Sequence, residues 1–342
     1  MTNTILVLGG GHQGLAMSAH LALLGEKVNL WNRTLDNIFN IINTKTIICS
    51  GVVSGEAKLN NVSSNIDDVN SDIIMITTPA TAHRDIAKLI AKKINKDTVI
   101  ILNPGRTFGA LEFAKILSEE GCTELPYIAE TQTIIYTCRR NGNNVVTIYT
   151  LKNDVKIAAL RSSDIGFIIS KIPECIRNYF VAVESVMETS LSNIGMVLHC
   201  APVLMNIGWI ENDIVDFKYY YDGISPSIAV FLEKLDKERL SVAKALGYNL
   251  ESVCEWMKRT YNVLGNNLYE CIRNNKYYKQ IDAPRTILHR YLEEDVPCGL
   301  VPLESAGTEL GVETPCVSLV IDLANHVLNK DYRILGRKYS NL

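Results

Sequence analysis

An apolar run of strand length, Thr4–Leu8, leads at once into Gly9-Gly10-Gly11-His12-Gln13-Gly14. Leu15–Leu24 follows, apolar and small throughout, and Gly25 closes it. This order predicts a strand, a glycine turn and a helix with a glycine cap. Lys27–Trp31 predicts a second strand. Asp72–Thr78 and Thr98–Leu102 predict buried strands, each leading into a helix, Arg84–Lys93 and residues 108–120 respectively. Pro126–Glu130 predicts a short strand. Thr133–Cys138 and Asn144–Leu151 flank Asn141-Gly142, which is a hairpin signal. Polar Leu59–Asp72 predicts a loop with a short helical turn. Strands alternating with helices predict an α/β fold, a Rossmann-type doubly wound sheet.

From about Tyr179 the strand pattern gives way to helical spacing. It runs through Val181–Leu198, Ser227–Leu246, Leu250–Thr260, Gly265–Asn274 and Thr314–Leu328. Tyr219–Pro226 and Asp295–Pro302 stand out as linkers. The expectation is a dinucleotide-binding domain over 1–178 and an all-α domain over 179–342, with an active-site cleft between them.

Length agrees, since 342 residues suit two domains. A net charge of −3, with no basic run, speaks against nucleic acid as a partner. Nine cysteines without a CxxC pair speak against a disulfide scaffold or a zinc ribbon, and predict mostly buried thiols in a reducing cytosol. The start Met1–Thr4 lacks the features of a signal peptide, and no long uncharged apolar run occurs. The end, Lys338–Leu342, carries no lipidation or retention signal. A cytoplasmic protein without a membrane partner is expected.

Gly9, Gly11 and Gly14 form G-x-G-x-x-G inside a βαβ unit. Such a site needs Gly9 for a tight turn, Gly11 for close approach of a pyrophosphate, and Gly14 for helix–strand packing. The helix N-terminus, with His12 and Gln13 in the same turn, faces the anion. NAD sites usually end the second strand with a carboxylate. Here the run is Trp31-Asn32-Arg33-Thr34, and Arg33 suits a 2′-phosphate, which favours NADP over NAD. The alternative for Arg33 is a solvated residue at a helix start. The loops at Pro79 and Pro104 follow parallel strands and should face the cofactor.

His199 differs from the other histidines, because it sits at a helix break before Cys200-Ala201-Pro202. A carboxylate partner would hold one ring nitrogen and raise its basicity. Asp295, in Glu293-Glu294-Asp295-Val296-Pro297, is a candidate. A structural histidine and a solvated acidic turn remain the alternatives.

Taken together, these segments resemble the opine dehydrogenase family, which includes octopine dehydrogenase and carboxyethyl-norvaline dehydrogenase. The resemblance covers nearly the whole chain. In the first half it rests on Gly9–Gly14, Pro79-Ala80-x-x-His83, Asn103–Ala110, Glu130-Thr131-Gln132-Thr133 and Cys138-Arg139. In the second half it rests on Glu188–Asn193 ending at His199, and on Arg290–Pro302. It implies reductive condensation of an L-amino acid with an α-keto acid, commonly pyruvate, through an imine that NAD(P)H reduces, and the reverse oxidation. It implies that His199 and Asp295 are the acid/base pair and that Arg290 reaches the cofactor pyrophosphate. It places Thr133 near the keto-acid carboxylate and Cys138 near the amino-acid substrate, with Asn193 also at the substrate site. Gln132 departs from the smaller or different polar residue expected there, and Asn32-Arg33 departs toward NADP. The helical half can support a homodimer. Two other readings are a ketopantoate-type C=O reductase, which usually recruits a lysine in the helical domain, and a dinucleotide-binding redox sensor without turnover. Cys138, Cys200 and Cys298 fall at or beside these positions, so their alkylation is expected to cost activity.

Overall fold

The computed structural model describes residues 3–68, 71–212 and 216–339. Residues 69 and 70 of the expected Leu59–Asp72 loop, residues 1 and 2 at the start, and the last three residues of Lys338–Leu342 lie outside that range.

The chain divides into two units, Met1–Ser190 and Leu191–Leu342. The first is built on an eight-stranded sheet. Its order is Phe180–Ala182, Val155–Ala159, Tyr127–Thr131, Val99–Leu102, Ile73–Ile76, Thr4–Leu8, Lys27–Trp31 and Asn61–Ser63. All neighbours are parallel except Val155–Ala159 against Tyr127–Thr131. The central strands Ile73–Ile76 and Val99–Leu102 are buried at every position. Side chains alternate between the two faces of a strand. Ile5, Val7, Met75 and Ile101 therefore join one core with the helix His12–Leu23, and Leu6, Leu8, Ile76 and Leu102 join another with the helices His83–Ile90 and Gly109–Glu119. Both faces are covered, as a parallel sheet requires.

A second, four-stranded sheet was not foreseen. Its order is Gly55–Lys58, Thr46–Gly51, Val145–Leu151 and Tyr136–Arg140, and it packs on the helix His12–Leu23. The hairpin around Gly142 supplies two of its strands. The other two are short and only half apolar, so they lack the continuous runs that mark buried strands. The expected Leu59–Asp72 loop holds an edge strand, Asn61–Ser63, as well as a helical turn, Ile66–Asp68.

The unit boundary falls later than 178/179. Phe180–Ala182 pairs in parallel with Val155–Ala159 and so belongs to the first unit's sheet. The single helix expected over Val181–Leu198 is instead this strand and two helices, Val186–Leu191 and Gly195–Met205.

The second unit is helical. Its longest helices are Pro226–Ala245, Pro315–Leu328, Gly195–Met205 and Val301–Leu310. Ser225 caps Pro226–Ala245, and Ser252 with Glu255 forms a capping box for Val253–Tyr261. Asp295–Pro302 is not a linker. A π-helical turn, Val296–Leu300, runs directly into Val301–Leu310 and is buried throughout. Pro297 sits in the first turn, where proline lacks no needed N–H. Pro302 lies inside the continuous path, and the Pro297 carbonyl one π-turn before it accepts the Arg337 N–H at 3.0 Å, so neither breaks it. Among the described residues no helix is long and apolar enough to cross a membrane.

Candidate active site

In the first unit the glycine turn has the shape its sequence requires. Gly9 has φ +121°, and its N–H donates to the Trp31 carbonyl at 2.8 Å. A Cβ on Gly14 would lie 1.7 Å from the Gly9 carbonyl oxygen, so nothing larger than glycine fits. A Cβ on Gly11 would meet nothing within 4 Å, so the turn is open at that point. Gly11 caps the helix His12–Leu23 without a side chain. A crowded Gly14 beneath an open Gly11 at a helix start fits a dinucleotide pyrophosphate.

The turn is braced by its neighbours. Asn32 Oδ1 accepts the Gly10 N–H at 2.8 Å, and Asn32 Nδ2 donates to the Thr34 carbonyl at 2.7 Å. Thr77 Oγ1 donates to the Leu8 carbonyl at 3.0 Å, in the loop before Pro79. From the hairpin, Arg140 donates to the carbonyls of Gly10, Asn37 and Gly142 at 3.0, 2.8 and 2.6 Å. The Arg140 N–H also meets His12 Nδ1 at 3.0 Å. The Cys138 thiol points at the same turn, 3.3 Å from the His12 carbonyl and 3.4 Å from Gln13 Oε1. Burial pushes this thiol up to about 12, against a lowering by Lys152, so it stays protonated. Arg33 is exposed and pairs with exposed Asp85 at 3.2 Å. Thr133 lies in the loop before Tyr136–Arg140, and Lys152 Nζ stands 3.3 Å from its hydroxyl.

Glu130 explains why three of the quoted segments occur together. Its buried carboxylate accepts from Thr189 Oγ1 and Ser190 Oγ, each at 2.7 Å, and from the Ala110 N–H at 2.8 Å. Gly105 is required beside it, since a Cβ there would lie 2.2 Å from Glu130 Oε2. These marks hold the first unit's loops together.

In the second unit His199 lies inside the helix Gly195–Met205, which runs on through Pro202 rather than breaking at His199 as expected. The structure brings His199 into contact with Asp295. Nδ1 of His199 lies 2.7 Å from Oδ2 of fully buried Asp295. A carboxylate oxygen accepts, so Nδ1 carries the hydrogen and the neutral ring presents Nε2 as an acceptor. Tyr220 Oη lies 3.2 Å from that Nε2. Tyr291 stacks on the imidazole at 3.9 Å between centroids, with 14° between planes. Tyr219 Oη donates to the His199 carbonyl at 2.6 Å, and the Cys200 thiol to the Tyr291 carbonyl at 3.2 Å. Burial pushes the Tyr219 and Tyr220 phenols well above their usual range. His289, edge-on to Tyr291, is held below the usual histidine range by burial first and then by Arg290 and His199. Asn193 is buried beside Gly299 of the π-helical turn. Arg290 is half exposed and pairs with Glu294 at 3.2 Å.

Sequence reasoning missed Arg140, Lys152 and Tyr220 as neighbours of these groups. For Tyr220 a signal existed, the Tyr219-Tyr220-Tyr221 run, which passed as part of a linker.

Comparison with known proteins gives a consistent picture. Residues 182–328 match the family model described as NAD/NADP octopine/nopaline dehydrogenase, alpha-helical domain, and residues 5–105 match ketopantoate reductase PanE/ApbA. The chain is 38% identical to an opine dehydrogenase of Arthrobacter sp. (strain 1C), over 100% of this chain and 95% of that protein. It is 22% identical to octopine dehydrogenase of Pecten maximus, over 98% and 93%. Among solved structures, octopine dehydrogenase with NADH and L-arginine superposes with a TM-score of 0.78 at 18% identity, covering 95% of this chain and 89% of that one. Yersinopine dehydrogenase with NADP+ bound superposes with a TM-score of 0.82 at 11% identity, covering 99% and 94%.

Proposed function

This chain belongs to the opine dehydrogenase family of NAD(P)-dependent oxidoreductases, and on that premise we propose that it joins an L-amino acid to an α-keto acid, pyruvate first among candidates, and reduces the resulting imine to a secondary amine. The reverse oxidation acts on the CH–NH group of that product. The observation that carries this reading is the 2.7 Å contact of His199 with buried Asp295.

Only a neutral amine attacks a carbonyl, so the incoming ammonium must lose a proton. His199 takes it at Nε2, while Asp295 holds the Nδ1 hydrogen, fixes the ring and stabilises the imidazolium that forms. In the reverse direction His199 takes the proton of the secondary amine. General acid–base help of this kind contributes about 10²–10⁴-fold. The bound reduced dinucleotide supplies the hydride for the imine carbon. Gly9, Gly11, His12, Gln13 and Gly14 would hold its pyrophosphate, with Arg290 as a further contact, and Asn32, Arg33, Thr34 and Pro79 would line its other groups. Arg33 favours NADP, since its exposed pair with Asp85 costs little to open. Thr133, with Lys152 beside it, serves the keto-acid carboxylate. Cys138 serves the amino-acid substrate, and Asn193 belongs to the substrate site. A cytoplasmic location and a homodimer belong to the same proposal.

A ketopantoate-type reduction is the weaker reading, because that family match stops at residue 105 while the helical unit matches the octopine/nopaline model. The test is NADPH oxidation with pyruvate and a mixture of amino acids, followed by the product mass. A mass equal to amino acid plus keto acid, less water and plus two hydrogens, supports the proposal. Tight dinucleotide binding with no turnover on any pair overturns it in favour of a sensor.

A further inference from the structure

The mechanism above uses both ring nitrogens of His199, yet one of them already faces a second side chain. Tyr220 is 4% exposed and lies on the segment after the helix Gly195–Met205, where its hydroxyl sits 3.2 Å from Nε2. Its ring is fixed by Tyr278, stacked at 4.1 Å and 20°, and by Tyr219, edge-on at 4.9 Å. The hydroxyl has little freedom to leave, and with Nδ1 turned to Asp295 it can only donate to the neutral imidazole.

We propose that Tyr220 is a positioning residue for the base, whose hydroxyl donates to the Nε2 lone pair of His199 and holds the neutral ring ready until the substrate amine takes over that hydrogen bond. This inference rests on His199 being the base. Burial keeps the phenol protonated through any working pH, so the donor is always present. A donor at Nε2 stabilises the neutral imidazole and opposes its protonation. The groups around the ring that also bear on its titration are Asp295, Tyr219, Tyr291, His289 and Arg290. Asp295 bonds the ring on its opposite side, where it favours the imidazolium. Tyr220 and Asp295 thus pull the protonation equilibrium in opposite directions, and the pair sets the pH at which the base becomes available.

The test is the pH profile of kcat/KM for the amine substrate in Tyr220→Phe. Loss of the donor should move the acid limb up by about 0.5–1 pH unit, with dinucleotide affinity unchanged. Tyr278→Phe removes a hydroxyl partnered with Tyr261 from the same aromatic layer, and should leave the limb in place. An acid limb in Tyr220→Phe that superimposes on the parent's overturns the proposal, even where kcat falls. An equal shift in Tyr278→Phe overturns it too, because the aromatic layer would then be the cause. Should Tyr220→Phe not fold, fluorotyrosine incorporated at position 220 gives a stronger donor, and the limb should move down; an unmoved limb overturns the proposal. Turnover retained in His199→Gln sinks the base assignment itself. Turnover lost there, with an unmoved limb in Tyr220→Phe, sinks only the role of Tyr220.

Discussion

Oδ2 of Asp295 lies 2.7 Å from Nδ1 of His199, across 96 positions of sequence. The carboxylate is fully buried and the imidazole nearly so, with 16% of its side chain exposed. Such a contact selects one tautomer and aims Nε2 outward. His199→Gln should lower kcat by about 10²–10⁴-fold and leave NADPH affinity intact. Asp295→Asn should also lower kcat, because an amide can donate to Nδ1 and favour the wrong tautomer. Steady-state kinetics with dinucleotide titration checks both, and a parental kcat in either variant removes that residue from the mechanism.

Gly14→Ala places a methyl 1.7 Å from a backbone oxygen, which no rotamer relieves. Overpacking of this kind costs about 1–3 kcal/mol. The variant should melt at a lower temperature and bind dinucleotide about tenfold more weakly or worse. Fluorescence titration and a melting curve measure the two effects separately.

Arg33→Asp should turn coenzyme preference toward NADH. A charge-assisted contact to a 2′-phosphate corresponds to about 10- to 100-fold in the ratio of kcat/KM values. A parent enzyme with equal kcat/KM for both coenzymes would refute the assignment of Arg33.

Acid should destabilise the fold through two histidines. Burial holds His20 and His289 below the ordinary value of 6.5, so each is neutral in the folded chain and protonates more easily once unfolded. Their contribution is complete above about pH 6.5 and is lost as pH falls through the lowered folded values. Each costs up to about 1.4 kcal/mol per pH unit within that window. Urea midpoints between pH 7.5 and 5 should fall, and His20→Gln should flatten the fall. An unchanged slope in that variant would exclude His20.

Thiol alkylation should be slow at neutral pH. Cys200 and Cys298 are buried, and the Cys138 thiol is pushed up to about 12. Position in the sequence sets what alkylation would cost, whereas its rate follows the thiolate and its exposure. Mass spectrometry after brief iodoacetamide treatment should find these three unmodified, and rapid labelling of Cys200 would contradict the packing described.

What was legible in the sequence follows from burial. Ile73–Ile76 and Val99–Leu102 are covered on both faces, so they appear as unbroken apolar runs. Thr46–Gly51 and Gly55–Lys58 are partly exposed and paired in a small sheet, so their signal is weak. Asp295–Pro302 looked like a linker because proline marks breaks more often than first turns. The glycine turn was legible because its spacing and its βαβ setting coincide. The meeting of His199 with Asp295 was visible only through family resemblance, since no local pattern links residues so far apart. Tyr220 had no such guide, and only folding brings its hydroxyl to the imidazole.

Arg140 gives the glycine turn a property that its own residues lack. Its guanidinium donates to carbonyls of the turn, of the segment after the second strand and of its own hairpin. The guanidinium, with its donors engaged in this way, works as a clasp. Losing it would let the turn fluctuate. The damage would then appear in the on-rate for dinucleotide, as a tax on the fraction of molecules whose turn is formed when the cofactor arrives.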